Sequence, residues 1–165
     1  WILSELDNLI KECKKGYDEY NFFIPAIAIR EFTWNVFAAH YIEMVKARAY
    51  GIGFTDEERD GAIYTLHKTL STILKLLAPI TPFITEYLWK TLYSSDSIHK
   101  QHQVNTESIP EQNKITKEIT EFNSKVWNEK KMKNLSLKDS IKITIPESLE
   151  PFRKDLKSMH NLDDN

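Results

Sequence analysis

IPAIAIREFTWNVFAAHYIEMVKARAY, residues Ile24 to Tyr50, dictates how the rest of the chain must be arranged. Between Ile24 and Val45 the clearly polar positions are Arg30, Glu31, Thr33, Asn35, His40 and Glu43. A helix apolar over most of its circumference is expected to be central and buried. Pro25 suits a first helical turn, where its missing N–H costs nothing. Gly51, followed by Gly53, ends the helix. Ile27, Phe37, Tyr41 and Met44 run down one side and Ile29, Phe32 and Val36 down another, so neighbours are expected on several faces.

Working outward, residues 1–20 place Ile2, Leu3, Leu6, Leu9, Ile10 and Cys13 at helical spacing, with Gly16 as a weak point. Downstream, Thr55 followed by Glu58 reads as a capping box opening another helix, whose apolar stripe of Ile63, Leu66, Leu70, Ile73, Leu74 and Leu77 ends at Pro79. Thr81-Pro82 is expected to cap the next helix, with Phe83, Ile84, Tyr87, Leu88 and Leu92 facing inward. Residues 94–110 lack a period and form a connection. Pro110 then opens a helix carrying Ile115, Ile119, Phe122 and Val126. Ile141, Ile143 and Ile145 alternate with Lys142 and Thr144, a strand pattern, and a short final helix follows.

The expected fold is mainly α: an antiparallel helical bundle with a small α+β appendage at the C-terminal end. Residues 1–93 form the bundle core, 94–110 the connecting loop, 111–139 a further helix and turn, and 140–165 the truncated strand and helix appendage. The length of 165 residues suits one domain, and 41% hydrophobic residues support a real core. A formal net charge of -2 offers no global attraction to polyanions, so a nucleic-acid role needs a local basic surface. The single Cys13 lies on an apolar helix face and reads as an inert core thiol. No apolar run is long enough to span a membrane. The chain opens on Trp1, already in helical pattern, and is expected to be a piece of a longer protein.

Enzyme signatures such as GxGxxG, the P-loop, HExxH and GxSxG do not occur. His99 and His102 read as surface histidines rather than metal ligands, and His40 and His67 as hydrogen-bonded core or boundary residues. Glu57, Glu58 and Asp60 are accounted for by the helix start.

An ordered set of stretches goes further. Trp1-Ile-Leu-Ser-Glu-Leu, then Phe32-Thr-Trp-Asn-Val-Phe and Tyr41-Ile-Glu-Met-Val-Lys46-Ala-Arg48-Ala-Tyr-Gly51, resemble the anticodon-binding domain of the valyl-tRNA synthetase family. Leu74-Lys-Leu-Leu-Ala-Pro79-Ile-Thr-Pro82-Phe-Ile-Thr-Glu86-Tyr-Leu-Trp89 is similar to the double-proline element shared by the valyl, isoleucyl and leucyl enzymes. Ser97-Ile98-His99 and Trp127-Asn-Glu-Lys-Lys with Asn134-Leu-Ser-Leu continue the likeness to about residue 140. The resemblance implies a class Ia synthetase bundle and a valine-specific tRNA as partner. It also implies a catalytic body in the same polypeptide, a cytoplasmic monomer, and ATP and Mg²⁺ in the full-length enzyme. The catalytic signatures of that enzyme are absent, so no cofactor is expected in this stretch and it should be inactive alone. An isoleucyl or leucyl origin, or a purely structural docking module, are the alternatives.

A helical bundle can present cations to phosphates and flat side chains to splayed loop bases. Tyr17 and Tyr20 at the turn into the central helix, with Arg30 one turn inside, form the expected meeting point with the anticodon loop. Phe22 and Phe23 beside them read as a hydrophobic staple. Lys46 and Arg48 match family positions, Lys46 also being placed to pair with Glu43. Lys130, Lys131 and Lys133 belong to the densest positive run. Trp34, Phe37, Tyr41, Pro79, Pro82 and Trp89 are assigned to the scaffold.

Overall fold

The computed structural model describes residues 1–163 except 103, 108 and 111 and the side chain of Asn113. The expected start of a helix near Pro110 therefore borders residues outside the described set. Helix α1 (Ile2–Asp18) leads into α2 (Phe23–Glu31), which continues through a π-helical stretch (Phe32–Ile42) into α3 (Glu43–Ala49). Then follow α4 (Asp56–Leu77), α5 (Pro82–Leu92), a 3-10 turn (Ile98–Lys100) and α6 (Asn113–Met132). A second 3-10 segment (Glu147–Phe152) and α7 (Arg153–His160) complete the order. No helix of the described residues is long and apolar enough to cross a membrane. The chain forms two compact units, Ile2–Asn35 with Tyr64–Glu111, and Trp1 with Val36–Ile63 and Gln112–Asn165.

In the first unit, α1 lies against α2 at Gly16. A Cβ on Gly16 would fall 2.6 Å from Pro25 Cδ, so this residue permits the close approach. Helix α1 closes with paired 5→2 and 6→1 bonds: the Tyr20 N–H donates to the Tyr17 carbonyl (3.1 Å) and the Asn21 N–H to that of Gly16 (2.8 Å). Tyr20 takes the left-handed conformation this turn demands, at φ 55°. Leu74, Ala78, Trp89 and Ile98 form a small core with Leu70, Leu88 and Tyr93 around it. The Glu86 carboxylate accepts the Ser97 hydroxyl (3.0 Å) and the Ile98 N–H (2.9 Å), tying the 3-10 turn to α5. Its partner Lys90 foremost, then these bonds, holds it down to about 2. Cys13 is fully buried, and burial pushes its thiol up to about 12, well away from thiolate chemistry at neutral pH.

Three expectations change here. Phe83, Ile84, Tyr87 and Leu92 of α5 face solvent, Phe83 being 91% exposed, while Thr85 and Trp89 face the core. The buried stripe is turned round the helix from the assigned one, because Trp89 finds its apolar neighbours Leu74, Ala78 and Ile98 on that side. Thr81 makes no side-chain cap bond at the start of α5. The helix containing Ile24–Tyr50 is likewise open along one face, where Trp34 is 75% exposed and takes no part in the core of its unit.

The second unit is built around Met44, Ile119, Phe122 and Val126, covered by Ile141, Ile143, Ile145, Leu149, Leu156 and Leu162. The capping box at the head of α4 is formed: Thr55 N–H donates to Glu58 (2.8 Å) and Glu58 N–H to the Thr55 hydroxyl (3.2 Å). Ile141, Ile143 and Ile145 are all buried, as their alternation requires. They form no strand among the described residues, only an isolated parallel bridge from Ile141 to Leu162. A single extended segment has no neighbouring ladder to join, so the expected α+β appendage is a helical one with an extended lead-in.

Polar groups buried in this core are satisfied in a chain. His160 Nε2 lies 2.8 Å from Asn123 Oδ1, and Asn123 Nδ2 lies 3.1 Å from His40 Nδ1. The Asn123 amide therefore accepts from His160 Nε2–H and donates to His40 Nδ1, which requires the His40 imidazole to be neutral. Burial foremost, reinforced by Lys130, depresses His160 to about 4, and burial also lowers His40. Trp127 stacks on His40 with ring centroids 5.3 Å apart and meets His160 edge-on at 5.8 Å.

Candidate nucleic-acid interface

The turn between α1 and α2 presents rings to solvent, with Tyr20 86%, Phe23 73% and Phe22 48% exposed. Phe22 meets Tyr17 edge-on at 5.6 Å. Tyr17 is half-buried and donates its hydroxyl to the Leu76 carbonyl at 2.6 Å, so its polar end is committed to holding α4 against α1. Burial pushes that phenol up to about 12. Beside these rings lies a cleft of about 390 Å³, floored by apolar side chains that include Ile10, Leu76 and Ile98. Tyr17 and Tyr20 both line it, together with Lys14, Lys75, His99 and His102. Arg30 does not, and its guanidinium pairs with Glu31 at 2.5 Å.

The other expected residues belong to the second unit. Lys46 is exposed and holds both carboxylate oxygens of Glu43, at 2.6 and 2.7 Å. Arg48 forks onto Asp155 and lies 5.7 Å over the Phe54 ring, clamping α3 to α7. Asp155 is buried, and burial raises its carboxyl against the opposing effect of that guanidinium. Lys131 and Lys133 are exposed at the end of α6, Lys133 within 3.9 Å of Glu129.

Lys130 corrects the expectation placed on it. It is 1% exposed, and its ammonium donates to the carbonyls of Leu137 (2.7 Å), Asp139 (2.6 Å) and His160 (2.8 Å). Those three carbonyls replace water for the buried charge, and no phosphate can reach it in this arrangement. Lys130 is a clamp, not a surface cation.

Lys14 and Lys75 of the cleft are not singled out by the sequence, and His99 and His102 read there only as surface histidines. Lys14 and Lys75 sit in ordinary amphipathic helices, and His99 and His102 on an aperiodic segment, where each alone looks like any solvated side chain. The one available signal was the His99–His102 pair itself. Only the segment's return onto α1 and the end of α4 gives that pair a site.

A helical unit whose exposed turn sets flat rings beside cations has the makeup of an RNA-binding surface. The family described as "anticodon-binding domain of tRNA ligase" matches residues 1–145, and the chain belongs to that family. It is 35% identical to the valine–tRNA ligase of Aeropyrum pernix over 168 residues, 96% of this chain and 20% of that protein. Against the valine–tRNA ligase of Pyrobaculum aerophilum the identity is 38% over 173 residues, 99% of this chain and 21% of the relative. The valine–tRNA ligase of Archaeoglobus fulgidus is 39% identical over 145 residues, 86% of this chain and 16% of its own length. The chain thus spans about a fifth of the length of the curated relatives it matches.

Proposed function

We propose that the chain binds the anticodon stem-loop of a valine-specific tRNA as part of a valine–tRNA ligase. The observation that carries this reading is the anticodon-binding family match over residues 1–145, joined by valine–tRNA ligase relatives across nearly the whole chain. The contact set is Tyr17, Tyr20 and Arg30 in the first unit, with Lys46, Lys131 and Lys133 in the second. Arg48 serves by positioning α3 against α7. The full ligase attaches valine to tRNA with ATP and Mg²⁺, works in the cytoplasm as a monomer, and keeps its catalysis outside this stretch, so the stretch alone is inactive. The exposed Phe83, Ile84 and Tyr87 of α5 favour a covering neighbour as well, for which the catalytic body of the same polypeptide is the proposed occupant.

The test is fluorescence anisotropy with a valine anticodon stem-loop, a scrambled-loop control and a salt series. Specific binding with a log–log salt slope of about -0.7 to -0.9 per contacted phosphate is expected. Equal affinity for both loops would reduce the chain to a phosphate-contact surface, and no binding at low salt would refute the reading.

A further inference from the structure

The fold of the first unit does not by itself explain Tyr20. At φ 55° it occupies the position of the helix-ending turn where glycine is at ease, because a Cβ there crowds the backbone. Its ring nevertheless stands 86% exposed, with no hydrogen bond or ring contact among the described residues. A strained bulky side chain that contributes nothing to its own core marks a position held for something outside the chain.

The cleft beside it supplies the second observation. At about 390 Å³ it lies near the small end of the roughly 300–1,000 Å³ range of ligand clefts, enough for one nucleoside-sized group. Its apolar floor suits a flat ring, and Tyr20 and Phe22 stand at its rim. Lys14 and Lys75 line it without a carboxylate partner among the described residues, and Lys75 lies 5.1 Å from the Trp89 ring centre. Asp18 is the one carboxylate in the lining, so the two ammonium groups leave the cleft net positive, while Gln101 and the imidazoles offer hydrogen bonds.

We propose that this cleft is a subsite for a single unstacked base of the RNA loop. The base lies against Tyr20 and Phe22, and its phosphate faces Lys14 and Lys75. Stacking on an aromatic rim needs only a π-face, whereas the charged pair requires the phosphate, so the two parts separate experimentally. This inference rests on the tRNA-binding reading and names where one nucleotide of that RNA is held.

Tyr20→Gly is the discriminating variant, since it relieves the left-handed strain and therefore folds at least as well. Its affinity for the valine stem-loop is expected to drop about 5- to 140-fold, the range of one lost base–aromatic stack, with the salt slope unchanged. Scanning the RNA with abasic sites should reveal one loop position at which wild type and Tyr20→Gly bind alike. Lys14→Gln with Lys75→Gln should instead flatten the salt slope. If the RNA binds but Tyr20→Gly binds equally well, or its loss is the same at every abasic position, the subsite is overturned while the tRNA reading stands. If the wild type binds no stem-loop, the tRNA reading fails. Titration with AMP, CMP, GMP and UMP, read on the His99 and His102 proton resonances, then decides the cleft: shifts that Tyr20→Gly removes keep it as a nucleotide site, and no shifts reject it.

Discussion

Acidification should destabilise the second unit in a window set by His160. Its imidazole is 2% exposed and held neutral at a pKa of about 4, against an ordinary 6.5 in the unfolded chain. Above pH 6.5 both states are neutral and the full stability is present. As pH falls from 6.5 towards 4, the unfolded chain takes up a proton that the folded one refuses, so stability declines. The 2.5-unit difference corresponds to about 3 kcal/mol in all, of which about 2 kcal/mol is already lost at pH 5. With a urea m-value of about 2 kcal/mol per M, the denaturation midpoint should fall by about 1 M between pH 7 and pH 5. His40, also lowered by burial, acts in the same sense. Glu86, depressed to about 2, loses its contribution mainly below pH 4.5, outside the pH 7 to 5 range of the comparison. Asp155, raised by burial, works in the opposite sense. Comparison with His160→Gln cancels His40 and Asp155 and isolates the imidazole, because a glutamine amide can still donate to Asn123 without titrating. Urea melts followed on Trp127, which rests against both histidines, together with a proton NMR titration of His160, make the measurement. A His160 resonance titrating near 6.5, or an identical pH slope in His160→Gln, would refute the reasoning.

Two further substitutions test the packing. Gly16→Ala adds a Cβ 2.6 Å from Pro25 Cδ, and the overlap should outweigh the roughly 1 kcal/mol gained in helix propensity. A net loss of about 1–2 kcal/mol, lowering Tm by about 2–8 °C in calorimetry, is expected; an unchanged or raised Tm would mean that α2 simply moves aside. Arg48→Ala leaves the Asp155 carboxylate buried and unpaired and should cost about 3–5 kcal/mol in urea unfolding. Arg48→Lys should recover less than half of that, since one ammonium cannot reproduce the fork; full recovery would show that charge alone matters.

Much of the helix order was legible because the signals are local. Thr55 and Glu58 cap α4 across three residues, and the Ile141, Ile143, Ile145 alternation marks three buried side chains whatever partner they find. The family likeness was legible for the same reason, as an ordered run of short stretches. The eight residues singled out for RNA were chosen by type and position, which cannot separate a free cation from a committed one. Lys130 and Lys131 are neighbours in sequence, yet one is enclosed by carbonyls and the other exposed.

What the sequence determined by itself was what neighbours within a turn of helix decide: where helices begin and end, which residues are apolar, that Cys13 is a core thiol. What only the tertiary structure decided was which faces are covered and which charges are free. Arg48 meets Asp155 across 107 residues, and Lys130 meets the His160 carbonyl across 30. The cleft at Tyr20 exists only where α1, the end of α4 and residues Ile98, His99, Gln101, His102 and Val104 come together. Caps and periodicity are short-range properties of the backbone, whereas burial is set by segments far apart in the chain, and a charge becomes a clamp or a ligand according to what folds over it.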